Sequence, residues 1–390
     1  MIKIIATLLA IFAFSTSHAK TVNVGIILGF TGPIESLTPD MAAGAELAFS
    51  EASNSGNLLK GSKINVIRAD STCIDSAAAT SAAEGLVSQG VTAIMGADCS
   101  GVTGAILSNV AVPNGVPMIS PSATSPGLTT AKDNGLFFRT APSDARGGEV
   151  LADITADRVS SVAITYVNTD YGVGLADVYE AAAIARGIEV TAKTAHEGDK
   201  ADYSAEVGVL SAAGGDALAV IGYLDQGGNQ IIQGSLDSGA FDTFVLSDGM
   251  IGDSLTDTFG SDIDGSFGSM PGSLGAGAQK FKAYAEANGV NPSVYVGESY
   301  DAAALIVLAM AYGGSDDSAT VAANIMKVAN GPGTKIYAGE LAKGLKLASQ
   351  GFAVDYDGAT DVNFTDVGEA FGAFIEKGIS GGSFTDVAQR

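Results

Sequence analysis

The chain has 390 residues, 46% of them hydrophobic, with no Trp and a net charge of −23 from 20 basic and 43 acidic residues. That length and apolar content suffice for two domains with cores of their own. The acidic excess excludes nucleic acid and anionic membrane surfaces as natural partners and favours a soluble, monomeric chain.

The N-terminus reads as an export signal. Lys3, the apolar run from Ile4 to Phe14 and Ser17-His18-Ala19 form its basic, apolar and small-x-small parts, with cleavage after Ala19. The run is too short to span a bilayer, and no Cys follows the cut to accept a lipid.

From Val22 onward, apolar strands alternate with amphipathic helices. Strands are predicted at Val22–Leu28, Lys63–Ala69, Ala93–Gly96 and Met118–Ser120, with helices at Met41–Ser53, Ala77–Gln89 and Val102–Pro113 between them. A second series starts near Pro142. It has helices at Gly147–Asp157, Gly174–Arg186, Ser204–Ala213 and Asn229–Ser238, and strands at Ser161–Val167, Glu189–Thr194, Ala217–Gly222 and Thr243–Ser247. Two such runs imply an α/β protein with two doubly wound parallel sheets. Helices at Ala276–Asn288, Tyr300–Tyr312 and Ser318–Val328, with no strands between them, must cover a sheet already built, and strands follow at Gln350–Tyr356 and Ala370–Ile375. The chain is therefore expected to comprise a leader (1–19), a first lobe (20–141 plus 272–351) and a second lobe (142–271 plus 352–390). Glycine-rich crossings such as 265–272 would serve as a hinge.

Cys73 and Cys99 each follow a predicted strand. Export favours oxidation, and two thiols allow one intramolecular pairing. A redox-active pair is the alternative, but no Cys-x-x-Cys spacing supports it. Closing that loop contributes roughly 3–3.5 kcal/mol in the chain-entropy view.

Catalytic options are few. His18 leaves with the leader, so His196 is the single mature histidine; among Glu and Asp, it reads as a solvent-exposed side chain. No Gly-x-Ser-x-Gly elbow, phosphate-binding loop or dinucleotide fingerprint is present. Asp355, Asp357 and Asp361 lack the glycine and terminal glutamate offsets of a calcium loop. No metal or other cofactor is expected.

What remains is a set of polar and aromatic residues just past strands. Residues 117–129 end an apolar strand in hydroxyls and small side chains, a combination that holds a carboxylate through N–H and O–H donors. Ser100, Ser122, Ala123 and Thr124 in the first lobe, and Tyr171, Tyr223 and Asp248 in the second, share the C-terminal edge of a parallel sheet, where open α/β folds bind ligands. Singly, each is more often a turn residue or a packed ring.

The segments Gly25–Pro33, Ala97-Asp98-Cys99-Ser100, Ile119–Thr129, Phe138-Arg139-Thr140, Asp170-Tyr171-Gly172, Tyr300-Asp301-Ala302 and Tyr356–Phe364 agree in order and spacing with one family. On them the chain resembles the leucine/isoleucine/valine-type substrate-binding proteins of bacterial ABC transporters, which have the type I periplasmic binding fold. The resemblance implies a periplasmic, non-enzymatic protein that closes two lobes on an amino acid and delivers it to a permease in the inner membrane. It further implies that Ser100, Thr124 and the backbone of Ser122 to Thr124 hold the ligand's α-carboxylate. Tyr171 and Tyr223 would close from the second lobe, Asp248 would meet the α-ammonium, and Cys73–Cys99 would match the family's disulfide. This chain departs from members for aliphatic amino acids in having Asp248 where Glu is common. The side-chain pocket, near Ser36, Leu37 and Tyr295, does not align, so the ligand's identity stays open. A sensor that docks on a receptor, binding an amide or small carboxylate, and an exported hydrolase are the alternatives.

Overall fold

The structure is a computed structural model and describes residues 19–390. The predicted leader up to His18 lies outside the described residues. Strands β1 (Thr21–Leu28), β2 (Lys63–Asp70), β3 (Ile94–Gly96), β4 (Met118–Ser120) and β5 (Phe137–Pro142) form one sheet in the order β5-β4-β3-β1-β2, every pair parallel. Strands β6 (Ser161–Val167), β7 (Glu189–His196), β8 (Ala217–Ile221), β9 (Phe244–Leu246) and β10 (Phe267–Pro271) repeat the pattern as β10-β9-β8-β6-β7. In both sheets the order reverses beside the first strand, which opens a crevice at the C-terminal strand ends.

Burial explains which segments became strands. Helices cover both faces of a parallel sheet, so its central strands must be apolar throughout. Met118–Ser120 and Ala217–Ile221 are buried at every residue, whereas the edge strand Lys63–Asp70 is only partly covered. The helix Val296–Gly313 starts four residues before its predicted boundary and is buried from Val296 to Ala311. It lies against the helix Thr38–Asn54, and a Cβ on Gly44 would come within 2.6 Å of the Val296 carbonyl oxygen. The lack of a side chain at Gly44 sets that approach.

After β10 the chain returns to the first lobe. Strands β11 (Thr334–Tyr337) and β12 (Val354–Gly358) form a small parallel pair there, and β13 (Glu369–Ala370) joins the open side of β5. Residues 352–370, expected in the second lobe, therefore belong with the first. The final crossing comes at residues 371–373, after which β14 (Phe374–Ser380) and β15 (Ser383–Gln389) add antiparallel to β10. The second sheet is thus mixed rather than wholly parallel. Among the described residues three segments cross between the sheets, at 142–144, 272–275 and 371–373. Four strands and two helices depart from the sequence reading, β11 and β15 among the strands. Phe137–Pro142 and Phe267–Pro271 are buried strands, and Asp253–Phe259 and Leu341–Ser349 are short helices. Among the described residues, no helix is long and apolar enough to cross a membrane.

Cys73 and Cys99 are joined in a disulfide across the ends of the first lobe's strands. His196 is not the exposed side chain the sequence suggested. β7 runs two residues beyond its predicted end, pairs His196 with Val167 and turns the ring inward, where it is 1% exposed. Thr165 Oγ1 lies 2.8 Å from Nδ1, Tyr203 packs edge-on, and Nε2 has no partner among the described residues. Burial pushes the imidazole pKa down to about 4, against the pull of Glu206.

A neutral buried histidine makes folding sensitive to acid. The unfolded chain takes up the proton near pH 6.5 and the folded chain only near 4. Stability is complete above 6.5 and falls as the pH drops through that window, by about 3 kcal/mol from this residue. Urea titrations at stepped pH should show a shallower loss for His196→Gln than for the wild type. Equal slopes would mean that the ring is hydrated.

Candidate functional site

The crevice between the two sheets is built from strand ends. After β3 the chain runs through Asp98 and Cys99 into Ser100, the first residue of a helix. The fully buried Asp98 carboxylate accepts from Gly29 N (2.6 Å), Ser71 Oγ (2.9 Å) and Cys99 N (3.0 Å), tying the ends of β1, β2 and β3 together. Burial raises its pKa, and these bonds oppose the rise. After β4, Ser120 Oγ accepts from Ala123 N at 2.9 Å, Ser122 Oγ donates to the Asp98 carbonyl at 3.0 Å, and Ser125 N donates to Ser100 Oγ at 3.0 Å.

Beneath this loop lies Arg139 of β5, with no exposed surface. Its Nη1 donates to the carbonyls of Ala123 (3.0 Å) and Ser125 (2.9 Å), and Nη2 to Thr129 Oγ1 (2.8 Å) and Glu369 Oε2 (2.6 Å); Nε reaches the same Glu369 oxygen at 3.2 Å. All five guanidinium N–H groups are used. The hydroxyl-bearing loop is thereby fixed to β5 and, through Glu369, to β13.

The second lobe presents Tyr171, Tyr223 and Asp248 from the ends of β6, β8 and β9. The Tyr171 and Tyr223 rings stack with centroids 5.2 Å apart. The Tyr171 hydroxyl donates to Asp248 Oδ1 at 2.6 Å and accepts from Gly249 N at 3.2 Å. From the first lobe, the Tyr295 hydroxyl donates to Asp248 Oδ2. Burial raises the Asp248 pKa against these two phenols. Burial and then the charge of Asp248 hold both the Tyr171 and Tyr295 phenols well above their usual range.

Ser100, Ser122, Tyr171, Tyr223 and Asp248 thus line one pocket, together with Ile34, Leu37, Asp98, Cys99, Gly249 and Tyr295. Its free volume is about 20 Å³, because the lobes stand shut. Asp225 holds the rim: its N–H donates to the Pro33 carbonyl (3.0 Å), and its carboxylate accepts from Ser36 N (2.9 Å) and Ser254 Oγ (3.1 Å). Ala123 and Thr124 do not line the pocket. Both are buried behind Ser122, where the Thr124 carbonyl accepts from Asp144 N at 2.9 Å.

Sequence reasoning missed Asp144. It stands at the first crossing, and its Oδ2, like Thr124 Oγ1, has no hydrogen-bond partner among the described residues. Burial, then the charge of Asp248, pushes its carboxyl well above the usual range, against the nearby Thr124 hydroxyl, which faces it without forming a well-shaped hydrogen bond, and the charge of Arg139. In the sequence Ser143-Asp144 reads as an ordinary helix start, so nothing local signals its position. Tyr295 was placed near a side-chain pocket, but its bond to Asp248 has no sequence signal. Among the described residues, no group of three or more His, Cys, Asp or Glu is arranged to hold a metal ion. The pocket instead offers hydroxyl groups on one wall and a carboxylate on the other, a match for a small dipolar guest.

Residues 21–339 match the family model described as "Periplasmic binding protein". A Leu/Ile/Val-binding protein homolog 1 of Brucella abortus is 31% identical over 325 residues, covering 81% of this chain and 85% of the relative. A Leu/Ile/Val-binding protein homolog 3 of Brucella melitensis is 34% identical over 222 residues, and this match spans only 59% of that relative and 56% of this chain. Among solved structures, a leucine binding protein LivK from Thermotoga maritima superposes with a TM-score of 0.79 at 22% identity, covering 94% of this chain and 98% of the other.

The arginine beneath the loop has a measurable consequence. Arg139→Met leaves two buried carbonyls and Glu369 without their donor, which costs about 3–5 kcal/mol. Urea unfolding of the purified chain should register that loss, and Glu369→Gln, which keeps an acceptor, should cost less. A change below 1 kcal/mol for Arg139→Met would show that the loop is held by other contacts.

Proposed function

The chain belongs to the periplasmic binding protein family, and from that premise we propose that it captures an α-amino acid between its lobes in the periplasm and hands it to an ABC-transporter permease. It acts as a binding protein, without chemical turnover. The observation that carries this reading is the opposition of Asp248 to Ser100 and Ser122 across one closed pocket, with the two poles contributed by different lobes. The ligand's carboxylate meets the Ser100 hydroxyl and, once Ser122 gives up its bond to the Asp98 carbonyl, the Ser122 hydroxyl, and its ammonium meets Asp248. Thr124 and Asp144, immediately behind, offer the unpaired buried atoms that a small rearrangement on binding would use. Tyr171 and Tyr223 cover the ligand from the second lobe.

Each pole alone is a partial site. The full set of contacts exists only when the lobes meet, so the ligand draws the open–closed balance toward the closed form. Burial makes the charge pairing matter, because a charge removed from water must be compensated. Names such as Leu/Ile/Val-binding protein among the relatives support an amino acid as the guest.

Asp248→Asn tests the assignment. Removing one member of a buried charge pair costs about 2–5 kcal/mol, so calorimetry against a panel of α-amino acids should show affinity falling 30-fold or more, with the thermal transition of the ligand-free chain retained. Undiminished affinity would remove Asp248 from the ammonium site.

A further inference from the structure

A second, larger cavity adjoins the pocket. It occupies about 670 Å³ between the lobes and shares Leu37 and Tyr295 with the small pocket as common walls. Leu37 and Tyr295 are thus the two residues that a side chain reaching from the small pocket into the large cavity would have to pass. Five carboxylates line the cavity (Asp40, Asp253, Glu286, Glu298 and Asp386) against two lysines, of which Lys377 is already paired with Asp386.

Glu298 stands apart from the other carboxylates. It is 4% exposed and lies three residues beyond Tyr295, one helical turn away, in the first turn of the helix Val296–Gly313. No ion pair and no side-chain donor reaches its carboxyl among the described residues; the bond it receives comes from its own backbone N–H. Three other buried acids are saturated, whereas Asp144, behind the small pocket, is not. Asp98 accepts three bonds, Asp301 accepts from Tyr356, Ala359 and Thr360, and Glu376 is held by Arg158 and Arg390. A buried carboxylate without a partner is costly. Burial pushes the Glu298 pKa up to about 8 against that single backbone bond, and the charge of Asp301 adds to the rise.

We infer that the larger cavity receives the ligand's side chain and that Glu298 meets a positive charge at its far end, so that the solute is an α-amino acid with a basic side chain. This rests on the amino-acid reading of the small pocket. It differs in kind from an aliphatic guest, which would leave Glu298 in its protonated form, whereas a basic side chain would draw it into the charged one.

The test is calorimetry at neutral pH with L-lysine, L-arginine and L-norleucine, the last being a lysine analogue without the terminal amine. The wild type should bind lysine or arginine at least tenfold more tightly than norleucine. In Glu298→Gln that ratio should fall to near one. Norleucine bound as tightly as both basic amino acids, or a ratio unchanged in Glu298→Gln, would overturn the inference while leaving the amino-acid site standing. The wild-type ratio decides the matter even if the variant does not fold. Silence of the wild type toward every α-amino acid would remove the small-pocket reading, and this inference with it.

Discussion

The candidate site depends on a buried arginine. Arg139 has no contact with solvent and saturates all five of its donors, two of them on carbonyls of the very loop that presents Ser122. A loop of small residues has little side-chain packing to hold it, and its shape would otherwise be one of many. The guanidinium substitutes for that packing with directed bonds, and Glu369 compensates the charge. Because Glu369 lies on the short strand just before the last crossing, the anchor of the hydroxyl loop sits next to the hinge.

The buried acids divide along functional lines. Asp98, Asp301 and Glu376 are fully bonded and hold strand ends, the turn after β12 and the C-terminal hairpin in place. Asp144 and Glu298 are short of donors, and Asp248 is held by neutral phenols rather than by a cation. All three lie at or beside the cavities between the lobes. Unsatisfied buried polar groups are rare in folded proteins, and Asp144 Oδ2 and Thr124 Oγ1 supply two of them directly behind the small pocket.

Most of the architecture could be read from the sequence, because parallel strands covered on both faces leave unbroken apolar runs. Met118–Ser120, Ser161–Val167 and Ser204–Ala213 have the same limits in the sequence reading and in the structure. The strand Phe137–Pro142 was hidden by Arg139, a residue type that signals surface unless distant acceptors surround it. Phe267–Pro271 was hidden by Gly, Ser and Pro, which read as a loop. His196 was misjudged for the same reason as Arg139: local charge suggested solvent, and long-range strand pairing turned the ring inward. At the site, strand-end position pointed to Ser100, Ser122, Tyr171, Tyr223 and Asp248. It could not separate them from Ala123 and Thr124, one and two residues on, which sit behind the wall, nor reveal Asp144 and Glu298, whose significance lies in partners they lack.

Tyr295 stands at two features of the cleft at once. Its hydroxyl holds Asp248 across the gap, and its ring divides the small cavity from the large one. On the proposed reading, selectivity and shape equilibrium therefore pass through one side chain. A substitution made there to admit a different guest would also alter how readily the halves part in its absence, so the affinities of such variants combine recognition with the free energy of reaching the shut state.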